Sequence, residues 1–138
     1  MKIFAAPDAE DEELDPVDPL GSICIQNDEG RQLLERSVFV DDWLEGLLSG
    51  LRRIRSGEVT ANVDLHSQRD PLIWQAVDGG ALLQHKSQAV GIQNLDAFEK
   101  ALRQAVIDFT EPYRAHKNWA RCTELVAMRE WALNQQAG

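Results

Sequence analysis

The sequence predicts an α+β fold in which about three helices pack against an antiparallel sheet of three to five strands. Residues 58–66 alternate strictly between apolar and polar side chains, as a half-buried strand does. Asp78-Gly79 separates two apolar runs, which is a strong signal for a hairpin. Apolar residues also recur at helical spacing in 40–54 and again in 95–109. These observations place strands in the middle of the chain and helices around them.

The other strands follow from short β-branched runs bounded by turn residues. Residues 22–26 form such a run, and a second strand at about 32–40 is expected to pair with it across the turn signal at 27–30. Leu33, Leu34 and Glu35 suit a helix equally well, so a helix there is the alternative. Residues 72–77 and 81–92 are predicted as the two arms of the Asp78-Gly79 hairpin. With 58–66 they make a three-stranded meander, and the N-terminal region supplies a fourth strand.

Capping and stop signals set the predicted helix ends. Asp41 or Asp42 is expected to cap the first helix, whose last turn is rich in arginine and which ends at Gly57. Asn94 is expected to cap the second helix. A third helix is predicted over 117–135.

The charge of the chain is concentrated at its N-terminus. The 138 residues carry a formal net charge of −9, and residues 1–20 hold one Lys and seven acidic residues. With three prolines and little to bury, 1–20 is predicted to be an extended or mobile segment, and 21–138 a single domain. Such acidity argues against nucleic-acid binding, which depends on clustered Lys and Arg.

Apolar runs and cysteines indicate the compartment. No run reaches the roughly 7–15 apolar residues of a secretory signal or the roughly 20 of a membrane span. Cys24 and Cys122 lie far apart and form no C-x-x-C motif. We therefore expect a cytoplasmic protein with reduced thiols and no membrane contact.

The sequence offers few candidates for catalysis. Asp64 and His66 share the polar face of one predicted strand, and His85 lies on a later strand, so a metal-dependent enzyme or small-ligand domain using all three is one alternative. Cys24 and Cys122 both lie among apolar residues and are interpreted as small core residues. Glycine-rich phosphate loops and serine-nucleophile motifs are absent from the sequence. We therefore predict no catalytic residues, no metal and no cofactor.

The four tryptophans divide into two groups. Trp43 and Trp119 fall on apolar stripes and are expected in the core. Trp74 lies in a predicted strand whose two faces both carry large side chains, and Trp131 lies at a helix border. Partial exposure is therefore expected for both. Aromatic side chains exposed beside charges are enriched in binding hot spots, which makes Trp74 a candidate anchor.

The general plan of residues 22–135 resembles the small immunity proteins of bacterial polymorphic toxin and contact-dependent inhibition systems. The resemblance lies in 38–44 (Val-Phe-Val-Asp-Asp-Trp-Leu), which leads into a helix, and in 95–109, which closes the domain. It implies a cytoplasmic, non-enzymatic protein that binds a toxin domain and blocks its active site.

Charge and resemblance together favour a non-enzymatic acidic protein-binding module that inhibits a toxin domain with a basic surface. The alternatives are the enzyme described above and a subunit of a larger assembly; homo-oligomerisation stays open. The residues predicted to bind the partner are Asp64, Asp70, Trp74 and Asp78 near the sheet, with Asp11, Glu12, Glu13, Asp15 and Asp18 in the N-terminal segment.

Overall fold

Antiparallel strands and three α-helices make up the fold, so the α+β prediction is confirmed. A computed structural model describes residues 1–8, 14–17 and 19–134. In chain order the elements are β1 (Lys2–Pro7), β2 (Leu20–Gln26), β3 (Gln32–Phe39), α1 (Val40–Arg55), β4 (Thr60–Val63), β5 (Leu72–Val77), β6 (Gly80–His85), β7 (Gln88–Ile92), α2 (Leu95–Thr110) and α3 (Thr123–Leu133). Two short 3₁₀ turns, Glu111–Tyr113 and Trp119–Arg121, lie between α2 and α3.

The strands form two sheets instead of the single sheet that was predicted. One has the order β1-β2-β3 and the other β4-β5-β6-β7, and all neighbouring strands are antiparallel. Side chains join the two sheets where β3 lies beside β7. The Leu34 N–H donates to Gln88 Oε1 at 2.8 Å, and Asn27 Nδ2 donates to the Gly91 carbonyl at 3.1 Å. The sequence pattern predicts strands but not which strand edges remain unpaired, so it did not predict the division into two sheets.

The folded domain begins earlier than residue 21. Strand β1 pairs along its whole length with β2, from Lys2 opposite Gln26 to Pro7 opposite Gly21, and it also packs against α2. Ile3 and Leu14 are buried in the core. Strand β1 and the buried Leu14 therefore belong to the folded domain, so the predicted domain start at residue 21 is wrong, because β1 pairs with β2 and packs on α2.

The arm predicted as one strand over 81–92 is a second hairpin. β6 ends at His85 and β7 begins at Gln88, with Lys86 in the left-handed region at φ 55°. A two-residue hairpin turn favours this conformation, for which glycine or asparagine is the usual signal. Lys86-Ser87 carries neither residue, so the turn was invisible in the sequence.

Helix α1 packs against strands of both sheets. Its start differs from the prediction, since Phe39 occupies the N-cap position and no side chain caps the helix. Asp41 and Asp42 lie inside the first turn, where they still complement the helix dipole. Near its end, Gly50 lies directly against the indole ring of Trp74.

The two C-terminal helices match the prediction in kind but not in all their ends. Asn94 caps α2, accepting a hydrogen bond from the Ala97 N–H at 3.0 Å, as expected. Helix α3 begins at Thr123, six residues later than predicted, because the chain from Glu111 to Cys122 follows turns. Arg129 of α3 is buried against α2, where it donates to Thr110 Oγ1 at 2.8 Å.

A candidate partner-binding cleft

Phe39, the residue that joins β3 to α1, lies between two open grooves of about 370 Å³ each. Its side chain is 36% exposed. Ser67 also lines both grooves, so the two grooves adjoin, and we refer to them together as the cleft. We call the groove on the α1 side the acidic lobe; it is lined by Phe39, Asp41, Asp42, Glu45, His66, Ser67 and Glu124. We call the groove on the β3 side the basic lobe; Arg36, Arg69 and Lys86 supply its cationic side chains.

Two helices supply the carboxylates of the acidic lobe. Asp41, Asp42 and Glu45 come from the first turns of α1, and Glu124 comes from the first turn of α3. None of these four forms an ion pair within the described ranges. His66 is the one lining residue of this lobe that is able to carry a positive charge. The lobe therefore presents a concentrated negative charge to solvent.

This negative charge is costly in the folded state. Burial raises the pKa of Asp41, and the carboxylates of Asp42 and Glu124 raise it further. The pKa of Glu45 is raised by burial and then by Glu124, Asp42 and Asp41, with His66 opposing the shift. One carboxylate oxygen of Asp41 is buried and accepts no hydrogen bond from the described residues. A cationic group entering the lobe would relieve these costs.

Asp42 holds the wall of the acidic lobe in place. Its carboxylate accepts hydrogen bonds from the backbone N–H groups of His66 at 3.1 Å and Ser67 at 2.9 Å, and from the Ser67 hydroxyl at 2.6 Å. These bonds fasten the loop after β4 to the start of α1. They also bring Asp64 and His66 to a small adjoining cleft beside Glu45.

The structure does not gather the three residues of the predicted metal or enzyme site. His66 is exposed, and its Nδ1 lies 4.0 Å from Asp64 Oδ2. His85 is fully buried; its Nδ1 is hydrogen-bonded to Glu35 Oε1 at 2.8 Å, and its ring meets the edge of Trp43. Among the residues described, no group of three or more His, Cys, Asp or Glu side chains is arranged to hold a metal ion. His85 instead packs between the sheets and α1.

Trp74 is not a surface anchor, and that prediction is wrong. Its side chain is fully buried, with the indole edge-on to Phe98 at 5.2 Å between ring centroids. The absence of a side chain at Gly50 makes the space that the indole fills. Trp43 is buried as predicted. Trp131 is partly buried, as expected, and Trp119, which was predicted in the core, is also only partly buried at its border.

The other residues predicted to bind a partner are scattered. Asp64 lies beside the acidic lobe, whereas Asp70 lines the basic lobe and Asp78 is exposed in the β5–β6 turn. Asp15 accepts hydrogen bonds from the Val17 N–H at 3.0 Å and from Asn118 Nδ2, and these bonds lower the pKa of its carboxyl. Asp11, Glu12, Glu13 and Asp18 lie outside the described residues.

The residues that define the cleft were mostly missed by the sequence analysis. Asp41 and Asp42 were interpreted as helix caps, and Phe39 as part of a strand. Glu45 falls within the first predicted helix without any signal of its own, and Glu124 lies far along the chain from the others. The one available signal was the pair of acids that begins two residues after Phe39, at a strand-to-helix junction.

The remaining candidates for chemistry are engaged or suppressed. In the arginine-rich last turn of α1, Arg53 forms a two-pronged ion pair with Glu58, with both N–O distances at 2.9 Å, and Arg55 pairs with Asp96 and Glu99, so neither guanidinium is free. Burial raises the pKa of both cysteine thiols, which disfavours the reactive thiolate.

Comparisons with protein-family models, curated proteins and solved structures give no match to this chain. In the part of the chain that the structure describes, no helix combines the length and the apolar character needed to cross a bilayer.

Proposed function

We propose that this protein is a non-enzymatic binding module whose acidic lobe receives cationic side chains of a protein partner. The observation that carries the proposal is that four carboxylates, none of which forms an ion pair within the described ranges, line one groove together with the partly exposed Phe39. Aromatic side chains beside charges are typical of interface hot spots, and a surface of one sign speeds the encounter with a surface of the other.

The kind of partner follows from this charge and from the resemblance. An immunity protein is a cytoplasmic inhibitor that binds a toxin domain and blocks its active site. A toxin domain that acts on nucleic acid or on another anionic substrate carries a basic surface around that site, and the acidic lobe complements such a surface. We therefore propose that the protein acts as an immunity protein toward a toxin domain with a basic surface.

The experiment measures binding between the full chain and candidate toxin domains that carry a basic surface. We expect a complex with a nanomolar Kd and loss of the toxin's activity on binding. Glu45→Gln combined with Glu124→Gln should lower the association rate about fivefold at low salt and much less at high salt, because long-range attraction is screened. Both side chains are exposed, so the variant should fold.

A matched control removes the same charge elsewhere. Glu29→Gln combined with Glu130→Gln changes two exposed glutamates outside the cleft and should leave the association rate within about twofold. Phe39→Ala should speed dissociation about tenfold if the ring is an anchor. Equal association rates for the two double variants, or no complex in the nanomolar range, would overturn the proposal.

A further inference from the structure

The basic lobe is unusual in an acidic protein. Arg36 extends from β3, Arg69 from the loop before β5, and Lys86 from the β6–β7 turn, and all three side chains line the same groove. Arg36 and Ser37 lie within the irregularity where the register between β2 and β3 shifts, and Ser37 adopts φ 55°. Three separate parts of the chain therefore deliver cations to one place.

Two of these three cations have no carboxylate partner in the described ranges. Arg53, Arg55 and Arg129 each pair with a carboxylate. Arg36 and Arg69, by contrast, have no carboxylate within ion-pair distance anywhere in the described ranges. This holds even though Asp70 lines the same groove.

The second carboxylate of the groove is already engaged. Glu35 Oε1 is hydrogen-bonded to His85 Nδ1 at 2.8 Å and to Gln88 Nε2 at 3.0 Å. Its other oxygen lies 3.9 Å from Lys86 Nζ, at the limit of an ion pair, and Lys86 is exposed. The positive charge of the two arginines is therefore not neutralised from within the fold.

The acidic and basic lobes remain separate even though they meet at Phe39. Among the described residues, the arginines of the basic lobe form no ion pair with the carboxylates of the acidic lobe. Both sets of charges face solvent, where an external molecule has access to each.

We propose that the basic lobe is a binding site for an oxyanion, a carboxylate or a phosphate, carried by a larger ligand. Guanidinium groups bind both oxyanions through two parallel hydrogen bonds, and an ammonium group adds a point charge. A groove of about 370 Å³ is larger than a single ion and lies in the size range of small-ligand sites. Resting on the function proposed above, the partner presents an acidic group beside the basic groups that enter the acidic lobe.

The test is an NMR titration of the ¹⁵N-labelled full chain with inorganic phosphate and, separately, with succinate, at constant ionic strength kept with sodium chloride. We expect saturable shifts with millimolar Kd at the amides of Ser37, Gln68 and Lys86. Tighter binding of phosphate indicates a phosphorylated ligand, and equal or tighter binding of succinate indicates a carboxylate such as a protein side chain.

Variants separate this site from general attraction of anions. Arg36→Gln combined with Arg69→Gln should weaken binding about tenfold, since each exposed charge contributes a modest amount. The control, Arg31→Gln combined with Arg52→Gln, removes the same charge from exposed arginines outside the groove and should change the Kd less than twofold. Both double variants should fold, since all four arginine side chains are exposed.

Two results would overturn the inference: shifts spread evenly over the surface, or equal weakening in the two double variants. The titration uses the free protein, so its failure leaves the acidic lobe proposal standing. Conversely, failure to bind a toxin domain would not remove an oxyanion site seen in this experiment.

Discussion

The contact between Gly50 and Trp74 allows a quantitative prediction about how α1 lies on β5. A Cβ atom added at Gly50 would lie 2.0 Å from the indole Nε1, 2.2 Å from Cδ1 and 2.5 Å from Cε2. Non-bonded carbon atoms prefer separations of about 3.5 Å, so the shortest contact falls short by about 1.5 Å. The ring is fully buried and packed against Phe98, so it has no free space to enter.

Gly50→Ala should therefore destabilise the protein. Overpacking of a core costs about 1–3 kcal/mol, and a clash with a rigid ring belongs at the upper end, near 3 kcal/mol. Alanine favours a helix over glycine by about 1 kcal/mol, which offsets part of this cost. We expect the free energy of unfolding to fall by about 2 kcal/mol, which for a chain of this size lowers Tm by about 8 °C.

Urea unfolding followed by tryptophan fluorescence measures this change. Gly91→Ala is the control, because no atom lies within 4 Å of the added Cβ there, and it should stay within about 0.5 kcal/mol of the wild type. Trp74→Phe in the Gly50→Ala background removes the nearest atom, so the two substitutions should couple by about 1 kcal/mol or more. A Gly50→Ala protein as stable as the wild type would refute the packing of α1 on the indole.

Three further predictions concern charge, capping and thiols. Glu45→Gln should raise the free energy of unfolding at pH 7 by about 0.5 kcal/mol, a figure that allows for solvent screening. The reason is that the pKa of Glu45 is raised, so folding disfavours its ionised carboxylate. Urea titrations should show this gain vanish as the pH falls through the carboxyl range, where the wild type becomes protonated; the same substitution at exposed Glu130 should show neither effect. Asn94→Ala should cost about 1 kcal/mol in urea unfolding, since the Ala97 N–H loses its acceptor, and an unchanged midpoint would contradict the cap. Cys24 and Cys122 should react with iodoacetamide at pH 7.5 more slowly than an unstructured peptide thiol, because burial raises the pKa of each; equal rates would contradict their desolvation.

Local signals account for the elements that were predicted correctly. The apolar spacing of α1, the Asn94 cap and the Asp78-Gly79 turn each act within a few residues, so the sequence displays them directly. The turn at Lys86-Ser87 was missed because the usual glycine is absent. The break between β3 and β7 was missed because pairing between distant strands leaves no local pattern.

The cleft was hard to predict for a related reason. Glu124 approaches Asp41 and Glu45 only because α3 folds back beside α1, and nothing near residue 124 indicates this. Trp74 was misjudged because its burial depends on a glycine in another element. The distribution of charge along the chain favoured the N-terminal acids as partner-binding residues. The carboxylates with raised pKa instead lie on α1.

The acidic lobe differs from a surface that serves only solubility. Acids that keep a protein soluble act best when they are exposed and dispersed, and burial of Asp41 adds cost without adding net charge. A raised carboxyl pKa means that the folded state would gain if a cation entered, and the same cation would lower that pKa again. A basic group bound in the lobe would therefore restore part of the stability that these carboxylates cost the free protein. This coupling agrees with the binding role proposed for the lobe.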